Sequence, residues 1–219
     1  MKQAYFVAGT DTEIGKTFAS CALLHAARAQ GLCAVGMKPI AAGTDAQGRN
    51  DDVEALIAAS SLPLSRATIN PYLFAPAVAP HIAAADNGVC IELERIAAAY
   101  REVAAQADLV IVEGVGGFRV PLGRDTDTAD LAVALGLPII LVVGMRLGCI
   151  NHALLTVEAI TRRQLPLAGW IANQIDPNML RFEDNLNALQ ERIGAPLLGT
   201  IPYLADRNPA TAASYLHLK

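Results

Sequence analysis

The chain has 219 residues, 53% of them hydrophobic and 17% charged, with a formal net charge of −4 and an isoelectric point of about 5.5. That is ample apolar material for a sheet buried on both faces, and the absence of any Lys/Arg run argues against nucleic acid as a partner. The four cysteines (Cys21, Cys33, Cys90, Cys149) make no C-x-x-C pair, so they are expected to be reduced and mostly buried. The four histidines make no ligand pair, so a zinc site is not expected, and the layout of the N-terminus and the short apolar run ending at Met145 point to a cytoplasmic protein that does not enter a membrane.

The first expected strand is Tyr5–Ala8, followed by Gly9-Thr10-Asp11-Thr12-Glu13-Ile14-Gly15-Lys16-Thr17 and a helix over Lys16–Gln30. A strand, a glycine-bounded turn and Gly-Lys-Thr at a helix start form a cradle for nucleotide phosphates. Backbone N–H groups and the positive helix end face the anion, Lys16 reaches the β/γ-phosphates, and the Thr17 hydroxyl ligates Mg²⁺. The loop departs from the strict phosphate-loop pattern. Its first glycine is Gly9, where the pattern wants glycine at the position of Thr10, and it carries Asp11 and Glu13. Carboxylates there repel phosphate unless they serve a metal or a cationic substrate.

The second strand, Ala34–Lys38, ends in Lys38-Pro39. A lysine at the tip of an apolar strand is costly unless it faces anions, either phosphates or a carboxylate. The alternative is a snorkelling lysine at the sheet rim. Arg49-Asn50-Asp51-Asp52 opens a helix over Asp51–Ala59, with Asp51 or Asp52 as its N-cap, as a Mg²⁺ ligand, or as one of each. Ser60 to Val89, with Pro63, Pro71, Pro76 and Pro80, reads as an irregular excursion near the site, in which His81 is structural.

A helix over Ile91–Gln106 leads to the strand Leu109–Glu113 and then Gly114-Val115-Gly116-Gly117. Glu113 at the tip of a fully apolar strand fits a metal-holding acid, and the glycines behind it let backbone approach phosphates. After a helix over Thr128–Leu135 and a strand over Ile139–Gly144, Leu147-Gly148-Cys149-Ile150-Asn151 starts a helix that runs from Cys149 to Gln164. Free N–H groups at such a start suit a carboxylate. Cys149 there is either a lowered-pKa thiol or, on the favoured reading, a structural one. The strand Leu167–Asn173 ends in an amide that either pairs with a purine edge or caps a turn. A helix over Leu180–Ile193 and a strand over Leu197–Ile201 complete the series.

Strands without polar alternation, joined by helices, imply a doubly wound α/β sheet, mostly parallel, with helices on both faces and a P-loop NTPase-like layout, in a single domain spanning 1–219. Ligands gather outside the carboxyl ends of such strands, and four of these ends carry site chemistry.

Taken together, the first loop, Lys38-Pro39, Ala79-Pro80-His81, Val112 to Gly117, Leu147 to His152 and Gly169 to Asn173 resemble the ATP-dependent dethiobiotin synthetases over nearly the whole chain. The resemblance implies a homodimer that uses ATP and Mg²⁺ to close a ureido ring on 7,8-diaminononanoate with CO₂ or bicarbonate. It implies Lys16 and Lys38 as catalytic residues and Thr17, Asp52 and Glu113 as Mg²⁺ ligands. Nucleotide would contact Glu13, Ile14, Gly15, Lys16, Thr17, Phe18, Asp52, Glu113, Gly114, Val115 and Gly116, with adenine at Asn173, Gln174, Pro202, Tyr203 and Leu204. Substrate would contact Thr12, Glu13, Lys38 and Ala42, with its carboxylate at Gly148, Cys149, Ile150 and Asn151 of the partner subunit. Ala42 departs from the family, where a hydroxyl residue is expected before Gly43; the expectation is modest weakening, with Thr44 or water as replacement. The rivals are another amidoligase or small-acid kinase on the same scaffold, and a dimeric switch ATPase. The latter carries a lysine where this chain has Asp11.

Overall fold

A computed structural model describes residues 2–217. In chain order these form β1 (Gln3–Gly9), α1 (Lys16–Ala29), β2 (Ala34–Met37), β3 (Ile40–Ala42), α2 (Asp51–Ala59), α3 (Arg66–Ile69), β4 (Tyr72–Phe74), α4 (Pro80–Asp86), α5 (Leu93–Gln106), β5 (Leu109–Glu113), α6 (Thr128–Leu135), β6 (Ile139–Met145), α7 (Cys149–Arg162), β7 (Leu167–Gln174), α8 (Phe182–Arg192), β8 (Leu197–Ile201) and α9 (Pro209–Ala212).

The main sheet has the order β2-β5-β1-β6-β7-β8, and every neighbouring pair is parallel. Strand β1 lies between β5 and β6. From it the chain first winds towards β2 and later returns to the other side, so the loop after β1 opens at the switch point of the winding. Burial on both faces explains the apolar strands. Along β5, Leu109 and Ile111 join the core under α1 and α2, while Val110 and Val112 join the core under α5, α6, α7 and α8. Among the described residues no helix is long and apolar enough to cross a membrane.

The excursion from Ser60 to Val89 is more ordered than expected. It holds α3, β4 and α4, and β4 pairs in parallel with β3 as a second, two-stranded sheet. Three-residue strands are too short to show a periodicity, though Tyr72 and Phe74 are buried on either side of exposed Leu73. Asn70 fastens the excursion to the site, donating to the carbonyl oxygens of Lys38 (2.6 Å) and Tyr72 (3.0 Å).

Three further expectations are corrected. The cap of α2 is Asn50, whose side chain accepts from the Val53 N–H at 3.2 Å and donates to the Gly43 carbonyl at 2.7 Å; neither Asp51 nor Asp52 caps. Helix α8 starts at Phe182 and not Leu180, because Arg181 takes a left-handed φ of 56° and Leu180 stays outside, exposed. Only Cys21 and Cys149 are buried; Cys33 is half-buried and Cys90 exposed.

The Ile14 side chain docks the phosphate loop on the core. Ile14 is buried in the core and packs so closely over Gly144 of β6 that a Cβ there would lie 2.6 Å from Ile14 Cγ2. Gly144→Ala is expected to destabilise the protein by about 1–3 kcal/mol through overpacking. Thermal denaturation of the variant beside the unaltered chain checks this, and an unchanged midpoint would contradict the docking.

Candidate active site

Lys16 lies across Gly9. A Cβ at Gly9 would fall 2.8 Å from Lys16 Cδ, so the glycine one place early is the one this lysine requires. Gly15 turns the chain into α1 with a left-handed φ of 80°. Lys16 Nζ donates to the Asp11 carbonyl at 2.9 Å. Burial, followed by the charge of Lys38, pulls the Lys16 pKa down to about 8. The loop thus holds a desolvated cation on one of its own carbonyls, ready for a better anion.

Beside it, three elements bring their charged ends to one point. Lys38, just beyond β2, is buried and donates to Glu113 Oε1 at 2.6 Å, to Asp52 Oδ2 at 2.9 Å and to the Gly114 carbonyl at 3.3 Å. The Thr17 hydroxyl donates to the same Glu113 Oε1 at 2.7 Å. Burial works to strip the Lys38 proton, but Glu113 and Asp52 outweigh it and hold its pKa above the ordinary value. Burial also opposes the charge on Asp52; Lys38 and the Thr17 hydroxyl prevail and hold its pKa down. Lys38 is therefore no rim lysine: its anions are the protein's own carboxylates. Glu113 Oε2 is buried and has no hydrogen-bond partner among the described residues. A hydroxyl, two carboxylates and an orphaned carboxylate oxygen are the hard donors that Mg²⁺ takes, so the residues present fit that ion.

A cavity of about 600 Å³ opens over this cluster. Of the expected residues it is lined by Thr12, Glu13, Gly15, Lys16, Thr17, Phe18, Lys38, Ala42, Asp52, Glu113, Val115 and Gly116, and also by Ala41, Asn50 and Arg207. Thr44 is not in the lining. An adjoining cavity of about 220 Å³ is lined by Asn173, Gln174, Pro202, Tyr203 and Leu204, with Ile175 and Arg207 in addition. Glu13, Gly15 and Phe18 border both. Asn173 has a structural duty, since its Nδ2 donates to the Ile14 carbonyl at 2.8 Å and so holds the phosphate loop. With its side chain in the core, Ile14 has only backbone to offer a ligand.

The acidic loop residues have separate fates. Asp11 meets Arg146, with Nη2 at 2.5 Å from Oδ2, which ties the loop to the segment before α7. Glu13 is exposed with a left-handed φ of 59° and has no partner among the described residues. Gly148, Cys149, Ile150 and Asn151 line neither cavity of this chain. Burial pushes the Cys149 thiol up, which removes the lowered-pKa alternative. Arg207, Arg146 and Asn70 were not anticipated. For Arg207 a signal existed, because the strand-end rule applied to β8 covers the loop that contains it.

The family model described as an AAA domain matches residues 3–211. The ATP-dependent dethiobiotin synthetase of Aromatoleum aromaticum is 62% identical over 219 residues, covering 99% of this chain and 97% of that protein. The enzymes of that name from Nitrosospira multiformis and Pseudomonas aeruginosa are each 53% identical, covering 96% of those proteins. The chain belongs to the ATP-dependent dethiobiotin synthetase family. Among solved structures, a ParA family ATPase from Chlorobium tepidum matches with a TM-score of 0.60 at 14% identity, over 97% of this chain and 90% of that one. The septum site-determining protein MinD from Pyrococcus horikoshii, complexed with Mg-ADP, gives 0.56 at 14%, over 99% and 87%. These likenesses show a shared fold, a parallel P-loop NTPase-like sheet.

Lys38→Met leaves Glu113 buried without its cation and is expected to cost about 3–5 kcal/mol of stability. Adding Glu113→Gln to that variant should recover part of the loss. Denaturant unfolding of the two variants checks it; a single variant as stable as the unaltered protein would contradict the arrangement.

Proposed function

We propose that the chain converts 7,8-diaminononanoate, CO₂ and ATP to dethiobiotin, ADP and phosphate in biotin biosynthesis. One observation supports this most: Lys16, Lys38, Thr17, Asp52 and Glu113 meet on one cavity whose rim carries the unpartnered carboxylate of Glu13. A simple phosphate-binding site has no use for an acid there, whereas a diamine substrate carries the complementary charge.

One substrate amine adds to CO₂, forming an N–C bond and releasing a proton. A carbamate oxygen then attacks the γ-phosphorus, and the bond to the β-phosphate oxygen breaks to release ADP. The second amine attacks the carbonyl carbon of the carbamic-phosphoric anhydride and gives up a proton, the C–O bond breaks, and phosphate leaves as the ring closes. Lys16 holds the β/γ-phosphates and Lys38 the transferring group, so that charge spread over phosphoryl oxygens is met by fixed cations. Thr17, Asp52 and Glu113 would hold Mg²⁺, which neutralises phosphate charge when bound. Adenine would lie in the smaller cavity, against Pro202, Tyr203 and Leu204 and beside Asn173 and Gln174. Glu13 and Thr12 would position the amines, and Ala42 leaves its contact to water.

The reading takes the chain as one domain working in the cytoplasm as a homodimer. Gly148 and Asn151 are exposed at the start of α7, and Gly148 to Asn151 line neither cavity of their own chain. A second copy would bring these N–H groups to the substrate carboxylate.

Purified protein is expected to release ADP only when diamine and CO₂ are both present, with dethiobiotin as the product. Lys16→Ala and Lys38→Ala should lower turnover by about a thousandfold or more, with the far-ultraviolet circular dichroism of a folded chain. ADP release indifferent to the diamine would defeat the proposal. The shared site makes a second expectation. Mixing Lys16→Ala subunits with subunits carrying Asn151→Asp should restore activity that neither has alone, and no recovery after subunit exchange would confine the site to one chain.

A further inference from the structure

Arg207 sits in the loop after β8, where the turn is closed without its side chain. Its own N–H donates to the Leu204 carbonyl at 3.1 Å, and Asp206 Oδ1 accepts from the Asn208 N–H at 3.2 Å. The guanidinium has no hydrogen-bond or ion-pair partner among the described residues. Yet Arg207 borders both cavities, and among the described residues it is the only cation that does.

Its backbone is also unusual. Four described non-glycine residues have a left-handed φ, and two of them, Glu13 (59°) and Arg207 (44°), stand on the boundary between the two cavities. Unfavourable backbone held at a cleft is characteristic of ligand-contacting positions. Charge points the same way. The larger cavity is lined by the carboxylates of Glu13, Asp52 and Glu113 and by the cations of Lys16, Lys38 and Arg207, so without Arg207 it would be net negative. That would be a poor receptor for a polyanion, the more so because Lys38 is already engaged by two of those acids.

We propose that Arg207 binds the nucleotide at its α-phosphate. The inference rests on the nucleotide reading given above: with the base in the smaller cavity and the β/γ-phosphates over Lys16, the stretch between them passes the boundary that Arg207 borders. A guanidinium there meets phosphate oxygens through charge-assisted hydrogen bonds.

The test is displacement of a fluorescent ADP analogue by ADP and by adenosine, on the full chain and on Arg207→Ala, Arg207→Lys and Lys16→Ala. Arg207→Ala should bind ADP about tenfold more weakly, with a shallower dependence on salt, while adenosine is unaffected. Arg207→Lys should recover part of the loss. Unchanged ADP binding in Arg207→Ala beside lost binding in Lys16→Ala would overturn the Arg207 assignment alone. Equal weakening for adenosine and ADP would overturn it too, by moving the contact off the phosphate. Failure of the unaltered protein to bind ADP would remove the nucleotide reading along with it.

Discussion

A buried ammonium is unfavourable by several kcal/mol unless anions surround it, and a buried carboxylate is the same problem with the sign reversed. Lys38, Glu113 and Asp52 solve both together, and each comes from a different element: the end of β2, the end of β5 and the first turn of α2. They can meet only because β2 lies beside β5 in the sheet and because Asn50, by capping α2, leaves Asp52 free to face inward. The pairing is also a chemical reserve. Magnesium on the same carboxylates would take over the lysine's neutralising part and leave Lys38 for phosphoryl oxygens.

The phosphate loop is shaped mainly from outside itself. Ile14 plugs into the core against Gly144, Asn173 holds the Ile14 carbonyl, and Arg146 holds Asp11. All of these anchors come from β6, β7 or the segment just after β6, on the side of the sheet opposite β5. The loop therefore sits between two groups of strand ends, one that fixes its backbone and one that carries the charged cluster. Asp11 is already paired with Arg146 within its own subunit, and a likeness of fold to ParA and MinD at 14% identity carries no chemistry with it.

Much of this was legible in the sequence because burial writes itself plainly. Leu109 to Glu113 has no polar alternation since both faces are covered, and β5, β8, α2 and α6 begin and end where their residue patterns say. The cluster of Lys38 and Glu113 was visible as charge placed at the tips of apolar strands. What escaped was set by contacts distant in the chain. Strands β3 and β4 are three residues each and exist only because they find one another across 30-odd intervening positions, about the span from Ile40 to Tyr72. The choice of Asn50 over Asp51 as cap follows from the Gly43 carbonyl, which no local pattern announces. Arg207 has no motif, and only the two cavities give it meaning.

The account's central claim is that an oxygen of CO₂ becomes bonded to phosphorus before the ring closes. Supplying CO₂ labelled with heavy oxygen, in a reaction kept short against exchange with water, and analysing the released phosphate by mass spectrometry tests it directly. The account predicts one labelled oxygen in each phosphate formed along with dethiobiotin. Unlabelled phosphate from a reaction that still yields dethiobiotin would contradict it.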